Sequence, residues 1–162
     1  MKLMTPMTRL VAAVALLSLA GLAGAHDHGS PAEEMIANRQ AGYTFMAWNM
    51  ARIKAQVVEG SAPFNKEQVA AAANAIAAIA NSGMGALFAP GTEKGTARVK
   101  THVKPEFFQQ PDKVKEVAMA FAKEANELAK VAAVGDQAAI KAQFGKTGEA
   151  CKSCHDKFRM KF

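Results

Sequence analysis

Apolar side chains recur at alternating steps of three and four residues in four separate segments of this chain, whereas strand-like alternation is almost absent. This spacing places the apolar side chains on one face of an α-helix. In the first segment, over residues 31–58, the steps alternate regularly and form the a/d seam of packed helices. The seam residues are Ile36, Arg39, Tyr43, Met46, Met50, Ile53 and Val57. The periodicity therefore predicts an all-α fold built from amphipathic helices.

Capping and turn residues delimit the other three helices. Asn65 is a favourable N-cap in a capping-box arrangement and predicts a second helix over residues 66–81. Pro111, a residue favoured in the first helical turn, begins the third helix. Gly135 and Asp136 end the third helix and cap the fourth. The stripe of the fourth helix consists of Ile140, Phe144, Thr147, Cys151, Cys154, His155 and Phe158.

The connections between these helices differ in length. Residues 60–63 and 134–136 form short turns, which make the helices they join antiparallel neighbours. Residues 82–110 form a far longer connection, and we expect a helical turn within it near residues 84–88. Long loops of this kind are uncommon and often functional. The fold class predicted is an antiparallel four-helix bundle with one long crossover loop, an architecture that often holds a cofactor between facing helices.

Residues 1–25 are typical of a secretory signal peptide. Lys2 and Arg9 provide its positive charge, an apolar run follows, and residues 23–25 form a small-x-small cleavage site. The run is too short for a comfortable membrane span of about 20 residues, although an uncleaved anchor is the alternative. We expect residues 26–162 to form one soluble domain in the periplasm.

The charge distribution limits the partners. The predicted signal contains two of the 20 basic residues and none of the 14 acidic ones, so the remaining chain has a net charge of +4. The lysines are dispersed and no basic patch with interleaved aromatic residues occurs, which argues against a nucleic-acid partner. No later segment is long and apolar enough to span a bilayer, so we expect no membrane contact after cleavage of the signal.

The fourth helix contains the sequence Cys151-Lys-Ser-Cys154-His155, the spacing typical of covalent c-type haem attachment. Cys151 and His155 are four residues apart and share the helix face that points into the bundle. We therefore expect one haem c, held by two thioether bonds. A redox dithiol normally occurs in a βαβ context, and zinc normally has four ligands, or three and a water. The predicted all-α fold has no βαβ unit, and no further cysteine or well-placed histidine completes a zinc site. A disulfide between the two cysteines would close a very small loop.

Arg39 occupies a seam position where an apolar residue belongs. A buried charge is costly unless it is paired, and a haem propionate would supply an anion that arginine binds bidentately. The alternative is an arginine near the helix end whose charged head extends to solvent.

The CxxCH segment, the export signal and the four amphipathic helices resemble the cytochrome c′ family over the whole mature chain. Three stretches carry the resemblance: Arg39-Gln40 with Tyr43, Thr44 and Met46; Pro90-Gly91-Thr92-Glu93; and Cys151 to Arg159.

This resemblance implies haem c attached at Cys151 and Cys154, with His155 as the proximal ligand of the iron. It also implies that Arg39, Gln40, Thr92 and Glu93 lie near the haem, and that Arg159 belongs to the attachment segment.

Only seven residues follow His155, so the opposite side of the iron must be supplied by the first helix. The resemblance implies a five-coordinate iron whose open side is restricted by Tyr43, because low-spin relatives of the family have a methionine ligand at that position. Met46 is the alternative sixth ligand, although it lies about 4.5 Å further along the helix axis.

The function that the resemblance implies is the binding of small gases, nitric oxide and carbon monoxide, and/or electron transfer, without enzymatic activity. One alternative is a six-coordinate electron carrier that uses Met46. Another is a haem catalyst acting on peroxide or nitrogen oxides. The first-helix seam has no His–Arg pair for the acid–base steps of a catalyst. The sequence does not identify a redox partner.

Two further features concern partners. Phe45 and Trp48 lie off the seam of the first helix, and an exposed aromatic surface of this kind predicts a homodimer; the alternative is that they cover the second helix. After signal cleavage the N-terminus would read His26-Asp27-His28, which suits square-planar Cu(II) or Ni(II). A solvated tail is the alternative interpretation of that terminus.

Overall fold

The computed structural model describes residues 29–161, which are helical in five segments and contain one isolated β-bridge. The helices are α1 (Pro31–Val57), α2 (Lys66–Ala80), α3 (Glu106–Gln109), α4 (Pro111–Val134) and α5 (Gln137–Phe158), with a 3₁₀ turn at Met84–Leu87. The predicted signal peptide and the 26–28 terminus lie outside the described residues. Within residues 29–161, no helix has both the length and the apolarity needed to cross a bilayer.

The four long helices form a closed ring in which α1 packs on α2, α2 on α4, α4 on α5 and α5 on α1. The short links between α1 and α2 and between α4 and α5 make these pairs antiparallel. The predicted four-helix bundle with one long crossover is therefore confirmed. The contact between α1 and α5 is the least extensive of the four, so the bundle is most open between the first and last helices.

The helix boundaries follow from local capping. Ser30 and Glu33 form a reciprocal capping box at the start of α1. Gly135 ends α4 with a φ of +90°, a conformation that suits a glycine. The carboxylate of Asp136 accepts a hydrogen bond from the first turn of α5. These boundaries confirm the predicted turn at residues 134–136.

The capping box predicted for α2 is only half right. The side chain of Asn65 accepts the backbone N–H of Gln68 at 2.9 Å. The backbone N–H of Asn65, however, donates to the side-chain oxygen of Gln56 in α1 at 2.8 Å, and not to Gln68. Gln56, nine positions before Asn65, therefore accepts the N–H that the side chain of Gln68 was expected to accept.

An apolar core occupies one end of the bundle. Its fully buried members come from all four long helices and include Ile53, Val69, Ile76, Leu128 and Ile140. The α1 seam contributes Met46 and Ile53 to this core, as predicted. Toward the N-terminal half of α1 the seam changes character, because Tyr43 is 45% exposed. Asn49 and Gln56, which are not seam residues, are buried.

The crossover, residues 81–110, runs along the other end of the bundle. Its 3₁₀ turn confirms the helical turn predicted near residues 84–88, whereas the short helix α3 was not predicted. Met84 approaches α1 so closely that a Cβ at Gly42 would lie 3.0 Å from its terminal methyl carbon. After α5, the N–H of Met160 donates to the carbonyl of His102 at 2.8 Å. The crossover is thus attached both to α1 and to the C-terminal segment.

Candidate functional site

The last two turns of α5 carry the CxxCH residues. Cys151 and Cys154 are free and half-buried. Burial raises the pKa of both thiols; the neighbouring Cys154 raises that of Cys151 further, and Lys157 opposes the rise at Cys154. Raised thiol pKa values are the opposite of what a metal-thiolate or a redox dithiol requires. In the part of the chain that the structure describes, no group of three or more His, Cys, Asp or Glu is arranged to hold a metal ion.

His155 lies in the last turn of α5 and is exposed, so the prediction that it points into the bundle is not confirmed. Partial burial of its imidazole lowers its pKa, the positive charge of Arg159 lowers it further, and Asp156 opposes them. The neutral imidazole is the form that binds a metal. A cavity of about 360 Å³ opens beside the ring and is lined by His155, Asp156, Arg159, Met160 and Lys161.

Tyr43 of α1 faces the CxxCH segment. Burial of the phenol raises its pKa to about 12, and nearby Cys154 and Cys151 add to this rise, while Arg39 opposes it. The influence of both cysteines indicates that the phenol lies on the side of α1 nearest the motif. Tyr43 is nevertheless 45% exposed, so it borders an opening and does not fill the core.

Arg39 is 2% exposed, so the alternative in which its head extends to solvent is wrong. One terminal nitrogen donates to the carbonyl of Leu87 at 3.1 Å and to the hydroxyl of Thr92 at 2.7 Å. The other donates to the carbonyl of Thr92 at 2.9 Å and to the hydroxyl of Thr101 at 2.8 Å. Burial lowers its pKa, and Tyr43 and Glu93 oppose this effect.

These four bonds bear on the predicted propionate contact of Arg39. They use all four N–H hydrogens of the two terminal nitrogens, and a guanidinium has five N–H donors. Only the Nε–H remains outside them, so a bidentate grip on a carboxylate requires at least one loop bond to break. In this structure Arg39 holds the crossover, and its contact with a propionate stays a prediction.

The other residues that the resemblance placed near the haem gather at the crossover. Gln40 donates to the carbonyl of Lys100 at 2.7 Å. Thr92 is buried and its hydroxyl donates to the carbonyl of Ala89 at 2.8 Å. Glu93 accepts the backbone N–H of Gly91 at 2.7 Å. Their contacts to the crossover backbone are established, and their contact with a cofactor stays a prediction.

A group of phenylalanines at this end was not singled out from the sequence. Phe88 lies 6.5 Å from Tyr43 between ring centroids, in an edge-on arrangement, and stacks on Phe107 at 4.5 Å. Phe107 in turn packs edge-on against Phe108 and against Phe158 of α5. The presence of three phenylalanines in a loop was a signal for a buried loop face, but their partners lie too far away in sequence to be deduced.

Arg159 and Met46 occupy contrasting places. Arg159 follows α5 directly, pairs in the β-bridge with Val103, and is close enough to His155 to lower the pKa of its imidazole. Met46 is 6% exposed and belongs to the apolar core. Its packing favours the core role over that of an iron ligand.

These residues fit a covalently bound haem. Two free thiols and a neutral imidazole lie on one end of α5, and aromatic side chains border the same region. Opposite them, a half-exposed phenol lies on α1, the less extensively packed of the two helices beside α5. The donor set suits thioether bonds and one histidine ligand better than it suits zinc or a disulfide.

Comparison with known proteins supports the same conclusion. The family model Cytochrome C′ matches residues 34–159. Cytochrome c′ of Allochromatium vinosum is 54% identical over 149 residues, which cover 92% of this chain and 95% of that protein.

Among solved structures, a cytochrome c′ described as having an unusual ligand-controlled dimer dissociation is similar with a TM-score of 0.78 and 56% identity, covering 82% of this chain and 99% of the other. The nitric oxide complex of a variant of cytochrome c′ from Alcaligenes xylosoxidans is similar with a TM-score of 0.72 and 30% identity. The match covers 83% of this chain and 99% of the other.

Proposed function

This chain belongs to the cytochrome c′ family, and from that membership we propose that it is a gas-binding haem c protein. In this proposal one haem is joined to Cys151 and Cys154 by thioether bonds and His155 binds its iron on one side. Nitric oxide or carbon monoxide binds on the other side, which faces Tyr43. We also propose that the signal predicted at residues 1–25 directs export of the chain to the periplasm.

The observation that carries this proposal is the placement of Tyr43 opposite the two thiols. With a pKa of about 12, the phenol is neutral at pH 7, and a neutral phenol is a poor ligand for ferrous iron. Met46, the alternative ligand, is packed in the apolar core. The site thus has a strong ligand on α5 and none of comparable strength at the facing position of α1.

When bound, the haem would supply an iron that can take a small neutral gas. The protein residues divide the remaining tasks. The two cysteines fix the position of the group, and the neutral imidazole of His155 can bind without first losing a proton. Tyr43 limits the space on the open side, so small ligands are favoured over large ones. The half-buried Phe88 and Phe107 keep the adjoining region apolar.

Titration of the reduced, haem-loaded protein with carbon monoxide and nitric oxide tests this function by absorption spectroscopy. We expect saturable binding of both gases at one site per chain. Met46→Leu is the matched variant, because it preserves core volume and removes the thioether. If Met46 already occupied the iron, the wild type would bind carbon monoxide weakly and Met46→Leu would bind it much more tightly. Equal affinities of the wild type and Met46→Leu for carbon monoxide support the proposal.

Electron transfer with a redox partner is a second proposed function. The observation that favours it is the exposure of His155, which leaves one edge of the site accessible to another protein. α1 contains no histidine beside Arg39, so the facing helix lacks the His–Arg pair that a catalyst would use for acid–base steps, and we propose that the protein is not an enzyme. Turnover of hydrogen peroxide or nitrite well above that of free haem would contradict this.

A homodimer is proposed for the same reason that it was predicted. Phe45 and Trp48 are 49% and 53% exposed and stack on each other at 5.5 Å, so they do not cover α2. A solved relative is described as a dimer that dissociates under ligand control. Sedimentation of the wild type and of Trp48→Ala tests the interface, with Met119→Ala on α4 as the exposed control. Dimers in all three proteins would contradict the proposed surface.

A further inference from the structure

We propose that Arg39 and Phe88 are positioning residues for Tyr43. Arg39 fixes the crossover against α1, and Phe88, which the crossover carries, holds the phenol that limits space on the gas-binding side. The inference rests on the proposed function of the site. It assigns the crossover a specific task in setting how fast small gases enter.

The first step is the anchoring of the crossover. The guanidinium of Arg39 bonds to three crossover residues, Leu87, Thr92 and Thr101, which are 48 to 62 positions away in sequence. Arg39 and Thr92 are both 2% exposed, so water does not compete freely for these bonds. A charged donor in several buried hydrogen bonds gives a strong, directional attachment. One turn of α1 therefore fixes a long segment of otherwise irregular chain.

The second step is the restraint of Phe88. It directly follows Leu87, whose carbonyl is one of the acceptors of Arg39. The guanidinium carbon lies 4.6 Å from the centroid of the Phe88 ring, in a cation–π contact. The ring also stacks on Phe107 with centroids 4.5 Å apart and planes inclined by 22°. Both its backbone neighbour and its ring are thus held.

The third step is the contact with Tyr43. The restrained Phe88 ring meets the phenol edge-on, with an interplanar angle of 68°. Tyr43 is one helical turn after Arg39, so one stretch of α1 provides both the anchor and the side chain that is positioned. Arg39 therefore influences the open side of the site through Leu87 and Phe88. Loss of the Phe88 ring would let water and the phenol move into the vacated volume.

Phe88→Leu in the haem-loaded protein tests the inference directly. We expect carbon monoxide to associate with the ferrous form roughly two- to tenfold faster, the factor that corresponds to loss of one edge-on aromatic contact. We also expect the pKa of Tyr43 to fall from about 12 toward its usual value, because the phenol becomes better hydrated. Tyr43 is the only tyrosine, so phenolate absorbance at about pH 11 reports this residue alone.

Phe108→Leu is the matched control. Phe108 lies beside Phe107 in α3 and packs edge-on against it, so the substitution loosens the same aromatic group without removing the ring that touches Tyr43. We expect its association rate and its phenolate absorbance to equal those of the wild type. Thermal unfolding of both variants shows whether they are folded under the conditions of the assay.

A second pair of variants tests the anchor. Thr92→Val removes the hydroxyl that accepts from Arg39, and should change the gas rate and the phenol pKa in the same direction as Phe88→Leu. Thr92→Ser retains the hydroxyl and should have the carbon monoxide association rate and the Tyr43 pKa of the wild type. This rescue separates a positioning role from a general loss of packing.

The inference is overturned if Phe88→Leu and Thr92→Val leave both readouts at wild-type values, or if Phe108→Leu changes them equally. Failure of the proposed function has a different signature, because the wild type would then not bind carbon monoxide. The phenolate measurement still decides the positioning claim in that case.

Discussion

The two ends of this bundle use the same helices for different purposes. At the packed end, α1 and α5 contribute Ile53 and Ile140 to a core with no exposed members. At the site end the same two helices carry Arg39, Tyr43 and the CxxCH residues, and their contact is the least extensive of the four neighbouring pairs in the ring. The difference shows that helix periodicity decides which face points inward. The chemistry of that face decides whether the helices close on each other or leave a site.

Polar residues are treated differently at the two ends. Toward the packed end, the buried side chain of Gln143 donates to Glu124 on the neighbouring helix, and that of Thr147 donates within α5 and to Glu124. At the site end, Arg39 is satisfied only by the crossover. Across residues 29–161 every buried side-chain nitrogen and oxygen atom has a hydrogen-bond partner. The site end therefore depends on contacts between residues far apart in sequence.

Replacement of both cysteines should have the largest effect and should act only at the site end. In Cys151→Ala/Cys154→Ala no thioether bond can form, so we expect complete loss of haem staining after denaturing gel electrophoresis. Ser153→Ala, which changes an exposed residue between them, should stain like the wild type. Staining of the double variant at the wild-type level would show that the haem is attached elsewhere.

A cavity at the packed end should have the opposite consequence. Leu128 is fully buried, and Leu128→Ala should lower the free energy of unfolding by about 2–5 kcal/mol. Haem staining and carbon monoxide affinity should not change. Met119→Ala, at a position 62% exposed on the same helix, should cost less than about 0.5 kcal/mol. Chemical denaturation measures both, and a large change in gas affinity for Leu128→Ala would remove the proposed separation of the two ends.

The anchor of the site end should be sensitive to a change that conserves charge. Arg39→Lys keeps the positive charge but places its donors on one nitrogen, so it cannot reach all four acceptors, and we expect a loss of about 1–3 kcal/mol. Gln40→Ala removes one exposed bond to the crossover and should cost less than about 1 kcal/mol. Denaturant midpoints of the wild type and of the two variants measure these losses of stability. Equal stability of wild type and Arg39→Lys would mean that the crossover is held by other contacts.

The smallest effect concerns pH. The pKa of Tyr43 is raised to about 12 in the folded chain, so its contribution to stability is complete below the usual phenol pKa of about 10. That contribution should be lost as the pH rises from about 10 to 12, because the unfolded chain ionises first. Tyr43→Phe should lack this part of the alkaline decline. Denaturation of both proteins between about pH 9 and 11 gives the difference, and parallel curves would show that burial does not perturb the phenol.

The features that the sequence predicts correctly are those encoded locally. The α1 seam, the glycine and aspartate between α4 and α5, and the long crossover each depend on residues within one or two turns. The contacts of Arg39 with Thr92 and Thr101 cross more than 50 positions, and nothing in local spacing indicates them. The same is true of Phe88 beside Tyr43, and of Gln56 as the partner of the Asn65 backbone. Tyr43 fits the seam by period, yet only the packing of α1 against α5 shows that it borders an opening.

The absorption spectrum of the purified wild type near pH 7 tests the central claim most directly. If His155 binds one side of the iron and Tyr43 restricts the other without binding, the ferric form should be high-spin and the reduced form five-coordinate. The opposite result is a low-spin ferrous spectrum together with a thioether–iron charge-transfer band in the ferric form. That result would mean that a methionine fills the site and that α1 closes on the haem at this end of the bundle.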